Sequence, residues 1–370
     1  MKIGLLADML DFGYRGVGVY AYNLISKLLG IDKNNEYIII HNENSRCPQD
    51  HKDVFKKTKE LRIKPFPGFS NKYETERIVT RLKYPRALKK EKFDLIHDLT
   101  NLYTLSPNKT RMKTVITVHE VTTFAKNFLD KLAVFFTFRS LKSLKDNLEY
   151  CHFIAISQNT KKDLMKYGIP EEKISVVYQG VNHEVFKPMD VENDKDLFIL
   201  YVGSNAPRKN LTTLLRAFYL LKKKDFPHKL LLVSRPNKVL TSLIDSLHLQ
   251  REVIFRPQVS DKELCSLYNF ADLFVLPSLF EGFGLPPLEA MACGCPVIVS
   301  NVASLPEVVG DAGILFNPLD HVELANKMGK VLTDESLREE MRRRGLKRAK
   351  MFSWEKTVKE TLKVYRGALS

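Results

Sequence analysis

The sequence predicts an α/β protein of two domains, each a parallel sheet with helices on both faces. Short apolar runs alternate with helical stretches along the chain, and the order strand–helix–strand is typical of parallel sheets. This alternation stops in a polar, proline-containing segment at residues 186–196 and restarts at residues 197–203. The length of 370 residues suits two domains of ordinary size. We therefore predict domains at residues 1–186 and 187–352, followed by a terminal helix at residues 353–370.

The first half contains the apolar runs expected of seven strands. They are predicted at residues 2–8, 37–41, 60–64, 93–98, 113–120, 152–157 and 173–178. Gly16, Val17 and Gly18 lie between the first strand and the first helix, where a glycine loop can approach a phosphate or a substrate. The spacing of these glycines does not match the dinucleotide-binding fingerprint, which argues against an oxidoreductase.

Two further helices of the first half are rich in lysine and arginine, at residues 73–92 and 128–147. The second also carries several phenylalanines. A basic amphipathic helix of this kind can lie on an anionic membrane, although a core helix with a solvated edge is more common.

His119 lies at the carboxyl end of the strand predicted at residues 113–120. Open α/β sheets bind their ligands at this edge, so His119 is a candidate for contact with a substrate. The alternative is a histidine that is hydrogen-bonded within a loop. His97 lies in the preceding strand and is a weaker candidate.

The second half restarts the pattern, with strands at residues 197–203, 229–234, 253–257, 273–276 and 296–300. Gly203, Arg208 and Lys209 fall between the first of these strands and the helix at residues 211–223. Two cations beside a helix N-terminus suit a diphosphate, although an exposed basic loop is the simpler interpretation. Contacts to a base are expected from the ends of the next strands, around Arg235 and residues 257–259.

The segment at residues 273–318 is the most informative. A loop with Gly282 and Gly284 leads into a helix that is predicted at residues 288–293, after two prolines. Amides at the start of such a helix form an anion site, here those of Phe283, Gly284 and Leu285. Glu281 and Glu289 flank the loop with seven residues between them. Acids on both sides of an anion site suit a nucleotide sugar, whereas the simpler alternative is a turn with two solvated glutamates.

Four motifs resemble one enzyme family. The stretches E-G-F-G-L-P-P-L-E-A-M-A-C-G-C-P-V-I and S-L-P-E-V-V-G-D-A-G resemble the E-x7-E signature of the retaining glycosyltransferases of family 4. V-I-T-V-H-E and V-G-S-N-A-P-R-K-N-L are similar to the family's strand-end histidine and its glycine–basic loop. Glu120 and Ser204 depart from the pattern, because an aspartate and an arginine are usual there. The resemblance implies the GT-B fold, in which two Rossmann-like domains face each other across a cleft and the last helix crosses back to the first domain.

The resemblance also implies a function and a set of site residues. The reaction is transfer of a hexose, with retention, from a nucleotide diphosphate sugar to a hydroxyl of a glycan or a lipid-linked acceptor. GDP-mannose is the favoured donor, and UDP-glucose and UDP-N-acetylglucosamine stay open. The acceptor domain comes first, with its glycine loop helping to close the cleft. Catalytic roles fall on Glu281, His119, Arg208 and Lys209. Donor binding falls on Gly203, Arg208, Lys209, Arg235, Glu281, Gly282, Phe283, Gly284, Leu285 and Glu289.

Composition and charge bear on which other classes of protein the chain could belong to. The five cysteines lack a histidine cluster, so we expect buried thiols and no metal site. The resemblance implies that no cofactor is needed, because fixed cations take the place of a metal ion. No apolar run is long enough to span a bilayer and no signal peptide is evident, which predicts a cytoplasmic protein. The formal charge of +15 indicates an acidic partner, such as an anionic membrane on which the protein is peripheral. A non-catalytic nucleotide-sugar or nucleic-acid binding protein remains an alternative, although the basic tail lacks the aromatic residues that nucleic-acid binding favours.

Overall fold

The structure is a computed structural model that describes residues 1–7, 10, 16–42, 53–64, 84–99, 111–121, 148–189 and 197–369. The predicted helix at residues 128–147 and most of the predicted helix at residues 73–92 lie outside these residues, as does most of the loop before Gly16.

Strands followed by helices recur along the described chain, as predicted. The strands are β1 (Lys2–Leu6), β2 (Glu36–Asn42), β3 (Lys59–Ile63), β4 (Leu95–Asp98), β5 (Lys113–Val118), β6 (Cys151–Ala155), β7 (Ile174–Val176), β8 (Phe198–Val202), β9 (Lys229–Val233), β10 (Val253–Phe255), β11 (Leu273–Leu276), β12 (Val297–Ser300) and β13 (Ile314–Phe316). The helices are α1 (Val17–Ile31), α2 (Asp53–Lys56), α3 (Tyr84–Glu91), α4 (Gln158–Lys166), α5 (Leu211–Lys222), α6 (Lys238–Ser246), α7 (Asp261–Phe270), α8 (Leu285–Ala292), α9 (Leu305–Val309), α10 (His321–Thr333), α11 (Glu335–Ala349) and α12 (Trp354–Leu369). Short 3-10 turns form at Glu171–Lys173 and Pro207–Lys209.

The chain divides into two compact units, Met1–Gln179 with Trp354–Ser370, and Gly180–Ser353. The first unit contains a parallel sheet of order β3-β2-β1-β4-β5-β6-β7, and the second contains one of order β10-β9-β8-β11-β12-β13. In each sheet the strand order reverses beside the first strand. The prediction of two parallel-sheet α/β domains is therefore confirmed.

The central strands of each sheet are buried, as expected where helices cover both faces. All residues of β8, β11 and β12 are buried, and so are all residues of β4. In the first unit α12 joins the same core, where Trp354 and Tyr365 pack with Tyr20 of α1. The terminal segment thus completes the core of the first unit.

Two differences from the sequence prediction stand out. Helix α8 begins at Leu285, three residues before the predicted start. Pro286 and Pro287 occupy its second and third positions, where a missing N–H costs nothing. The three-residue strand β13 was not predicted, because so short a run carries no measurable periodicity. In addition, no helix in the described part of the chain is long and apolar enough to cross a bilayer.

Candidate active site

The second unit places two loops side by side at the carboxyl edge of its sheet. β8 and β11 are neighbours, and the strand order reverses between them. Ligands of open parallel sheets bind outside the strand ends at such a point. The loop after β8 carries Gly203, Arg208 and Lys209, and the loop after β11 carries Glu281. Residues that are about 70 positions apart in the chain are thereby brought together.

Gly203 is required by the close packing at the end of β8. A Cβ atom here would lie 2.6 Å from the hydroxyl oxygen of Tyr201. That hydroxyl donates a hydrogen bond of 2.7 Å to the carbonyl of Ser204, which fixes the turn. Burial, and secondarily the charge of Glu281, raise the pKa of the Tyr201 phenol, so it stays a neutral donor.

Asn210 fastens the basic loop to its neighbours. It has a left-handed backbone conformation with φ of 55° and makes no cap for α5. Its side-chain amide instead donates to the carbonyls of Pro277 and Pro318, at 3.0 and 2.8 Å. The amide of Leu279 also donates to the carbonyl of Arg208 at 2.8 Å. Arg208 and Lys209 are therefore held on a rigid turn beside the loop of Glu281.

Glu281 is the centre of a buried charge cluster. One carboxylate oxygen lies 2.5 Å from Nζ of Lys209 and accepts a bond of 2.6 Å from Ser278 Oγ. The other lies 3.6 Å from the guanidinium of Arg208. Glu281 is 8% exposed, and the side chain of Lys209 is 12% exposed. We call Arg208, Lys209 and Glu281 the charge cluster. Its two cations outnumber its single anion, so it attracts a further anion.

Ser304 holds the glycine loop after Glu281 in place through its hydroxyl. Its hydroxyl is within hydrogen-bond distance of the carbonyls of Glu281 and Phe283, at 2.8 and 2.6 Å. Gly284 begins α8 with φ of 119°, a conformation that suits glycine, and a Cβ there would lie 2.9 Å from Leu305. Since the two prolines lack N–H groups, the anion-binding amides predicted here can only be those of Leu285 and the loop before it.

Glu289 lies on α8, one turn after its start. Its carboxylate accepts a hydrogen bond of 2.9 Å from the hydroxyl of Tyr268 on α7. The ring of Tyr268 is buried and packs edge-on against Phe274 of β11. This contact orients the carboxylate relative to the sheet.

His119 lies at the carboxyl end of β5 in the first unit, as predicted. It contacts the Leu99 carbonyl through Nε2 at 3.2 Å, and Gln179 faces Nδ1 at 3.5 Å. A carbonyl only accepts, so Nε2 carries the proton and Nδ1 has the lone pair. Burial lowers the pKa of His119 to about 4. Its ring is neutral at physiological pH, and Nδ1 accepts its hydrogen bond from the side-chain amide of Gln179.

His97 is a structural residue. It is wholly buried, with Nδ1 2.7 Å from the hydroxyl of Tyr365 and Nε2 2.8 Å from Thr117 Oγ1. Tyr20 also bonds Thr117, at 3.0 Å. This network ties α12 and α1 to the sheet, which agrees with the lower rank that the sequence gave to His97.

Two protein-family models match this chain. The model described as Glycosyltransferase Family 4 matches residues 14–185, and the model described as Glycosyl transferases group 1 matches residues 183–348. The chain belongs to glycosyltransferase family 4. One relative, O-antigen chain mannosyltransferase B of Escherichia coli, is 30% identical over 392 aligned residues, covering 99% of this chain and 100% of the relative.

Solved structures show the same fold. A sucrose-phosphate synthase from Thermosynechococcus elongatus matches with a TM-score of 0.80 at 22% identity, covering 99% of this chain and 98% of that chain. The Anabaena protein HepE, solved with UDP and glucose, matches with a TM-score of 0.78 at 17% identity, covering 99% of both chains. This family 4 glycosyltransferase thus has the GT-B fold, and it is a hexosyltransferase.

The remaining predicted residues fall in three places. Gly282, Phe283 and Leu285 lie in the glycine loop or at the start of α8, next to the charge cluster in the chain. Arg235 is exposed just after β9, and its carbonyl accepts a bond from the Asn205 side chain. Gly16, Val17 and Gly18 begin α1 of the first unit, with Gly16 at φ of 75°.

Sequence reasoning missed four supporting residues: Tyr268, Ser278, Asn210 and Ser304. The spacing S-x-x-E was the only available signal for Ser278. For Asn210 a sequence signal would mislead, since asparagine before a helix predicts a cap that it does not make. Among the described side chains, no group of three or more His, Cys, Asp or Glu residues is arranged to hold a metal ion.

Proposed function

We propose that this glycosyltransferase moves mannose from GDP-mannose to a hydroxyl of a glycan or lipid-linked acceptor, with retention at the anomeric carbon. The observation that carries the proposal is the charge cluster at the carboxyl edge of the second sheet. It combines two fixed cations with a carboxylate that can bind sugar hydroxyls.

The charge cluster supplies the positive charge that departure of a nucleoside diphosphate requires. Cleavage of the sugar–phosphate bond builds negative charge on the β-phosphate, and Lys209 and Arg208 are placed to stabilise it more strongly in the transition state than in the ground state. We propose that these side chains make a metal ion unnecessary. When the donor binds, Lys209 exchanges part of its contact with Glu281 for the phosphate, and the carboxylate turns to the hydroxyls of the hexose.

The second acid supports the other end of the donor. Glu289, oriented by Tyr268, is proposed to accept hydrogen bonds from the ribose hydroxyls. In the first unit, His119 is proposed to contact the transferred sugar. Retention follows if the leaving phosphate takes the proton of the acceptor hydroxyl on the same face of the sugar.

The choice of donor is supported by one relative and challenged by one structural neighbour. O-antigen chain mannosyltransferase B is related over its whole length, which favours mannose. HepE was solved with UDP and glucose, so a UDP-sugar is the alternative donor for the same fold. A non-catalytic nucleotide-sugar binding protein is the alternative of another class.

The test is release of GDP or UDP from a panel of donors by the purified protein, with and without a chelator. We expect slow release from GDP-mannose that the chelator does not change and that Glu281→Ala abolishes. Release from a UDP-sugar alone would replace mannose by the alternative. Donor binding without release, even when glycan acceptors are added, would favour the binding-protein alternative. If the protein neither binds a donor nor releases a nucleotide from it, the donor site is refuted.

We also propose peripheral contact with an anionic membrane, on the strength of the formal charge of +15. Flotation with vesicles tests it. The protein should float with vesicles that contain phosphatidylglycerol and stay behind with neutral phosphatidylcholine vesicles. Equal flotation with both kinds of vesicle would contradict the proposed membrane contact.

A further inference from the structure

Two cysteines of the second unit lie in contact beside the donor site. The sulfur atoms of Cys265 and Cys293 are 3.8 Å apart, and both residues are buried. Cys265 lies on α7 and Cys293 directly follows α8. A disulfide has an S–S distance of about 2.05 Å, so the sulfurs need to approach by about 1.8 Å.

The two helices that carry these thiols also carry the contact between Tyr268 and Glu289. Tyr268 follows Cys265 by three residues, so both lie on one face of α7. The amide of Cys293 donates to the carbonyl of Glu289 at 3.1 Å. A disulfide between Cys265 and Cys293 would therefore form about one helical turn from Glu289, whose carboxylate we propose to bind the donor.

We propose that Cys265 and Cys293 are a modification site, a thiol pair that a peroxide converts to a disulfide and that controls nucleotide binding through Glu289. The control of binding rests on the function proposed above, whereas the formation of the disulfide does not.

The two thiols have different roles in the reaction with peroxide. Asn269 donates a side-chain N–H to the Cys265 sulfur at 3.4 Å, so a polar group already contacts this sulfur. Burial, and next the neighbouring Cys265, raise the pKa of the Cys293 thiol, so Cys293 reacts second. Cys265 attacks the peroxide, the O–O bond breaks, and one water leaves. Cys293 then attacks the resulting sulfenic acid, the S–O bond breaks, and a second water leaves with the proton of Cys293. Two thiols are oxidised and one peroxide is reduced.

The disulfide should weaken GDP binding. Drawing the end of α8 toward α7 disturbs the bond from Tyr268 to Glu289, and a hydrogen bond to a charged group is worth enough to change affinity about tenfold. The matched control is Cys295, which is also buried and lies two residues from Cys293. Its sulfur contacts the carbonyls of Ala271 and Pro296.

The experiment treats the reduced full-length protein with hydrogen peroxide, maps disulfides by peptide mass spectrometry, and titrates GDP before and after. We expect a peptide that joins Cys265 to Cys293, GDP binding about tenfold weaker, and recovery with a thiol reductant. Cys295→Ser should behave like the wild type, and Cys265→Ala and Cys293→Ala should each lose the response.

The outcomes separate the two proposals. No linked peptide in the wild type would refute the modification site, whatever GDP does. A linked peptide with unchanged GDP affinity would refute its control of binding. If the reduced protein binds neither GDP nor UDP, the proposed function fails, while the peptide map still decides whether the disulfide forms.

Discussion

Replacing Glu281 by glutamine should separate nucleotide binding from turnover. The substitution keeps the shape of the side chain and removes its charge, 2.5 Å from Lys209 and 3.6 Å from Arg208. Removing one partner of a buried ion pair costs about 3–5 kcal/mol of stability, and partial exposure of Arg208 puts the expected loss at the lower end. The same change removes the carboxylate charge that competes with a phosphate for both cations, so GDP should bind as tightly as before or more tightly.

Turnover should fall in the same variant. If Glu281 binds sugar hydroxyls in the transition state, losing hydrogen bonds to a charged group lowers kcat/KM about 10- to 100-fold. GDP affinity is measured by calorimetry and kcat/KM by release of GDP from GDP-mannose. Glu252→Gln is the control, because it removes the same charge from an ion pair with Lys222 elsewhere in the second unit. Loss of GDP affinity in parallel with turnover would refute the reasoning, since Glu281 would then only hold the loop in place.

Three further predictions follow from the same contacts. Lys209→Met should lower kcat/KM for the donor about 100-fold or more, as measured by nucleotide release, because it removes a fixed charge from the leaving phosphate; a loss below about threefold would contradict this. Tyr268→Phe should raise KM for the donor about tenfold and leave kcat nearly unchanged, because it removes a hydrogen bond that orients the carboxylate of Glu289; a drop in kcat alone would contradict this. Burial lowers the pKa of His97 to about 3 and that of His119 to about 4, so below pH about 6.5 the unfolded chain binds protons that the folded state does not. Each histidine should therefore cost the first unit up to about 3 kcal/mol of stability by pH about 4.5. Urea titration followed by fluorescence of Trp354, the only tryptophan, reports on unfolding of the first unit, in which it is buried, and constant stability over this range would contradict the lowered pKa values.

The sequence predicted the positions of the strands because each is a compact apolar run. Every predicted strand that falls within the described residues is present, with ends shifted by at most two residues. The loops that carry Arg208, Lys209 and Glu281 could be placed at strand ends for the same reason. Their contact could not be predicted, because it depends on β8 and β11 being neighbours while two other strands separate them in the chain.

Side-chain partners were the least predictable feature. The sequence assigned Lys209 and Glu281 to different parts of the donor, whereas the structure pairs them with each other. The proton on Nε2 of His119 follows from a contact with the Leu99 carbonyl, 20 residues away, which no local pattern indicates.

The basic helix α11 shows why charge counts mislead. Arg348 bonds the carbonyls of Glu307 and Val308, Arg338 bonds the carbonyl of Leu332, and Arg343 and Arg344 pair with Glu340. These arginines stabilise helix ends and a neighbouring loop. A run of arginines in the sequence therefore does not by itself define a surface for an acidic partner.

The charge cluster is the proposed phosphate site, and every step of the proposed reaction depends on it. Calorimetric titration of GDP into the wild type and into the double variant Arg208→Met, Lys209→Met tests it directly. Two lost charge-assisted contacts predict an affinity lower by about 100-fold or more, while Lys222→Met should bind GDP like the wild type. Equal GDP affinity in the double variant and the wild type would contradict the account and place the nucleotide elsewhere.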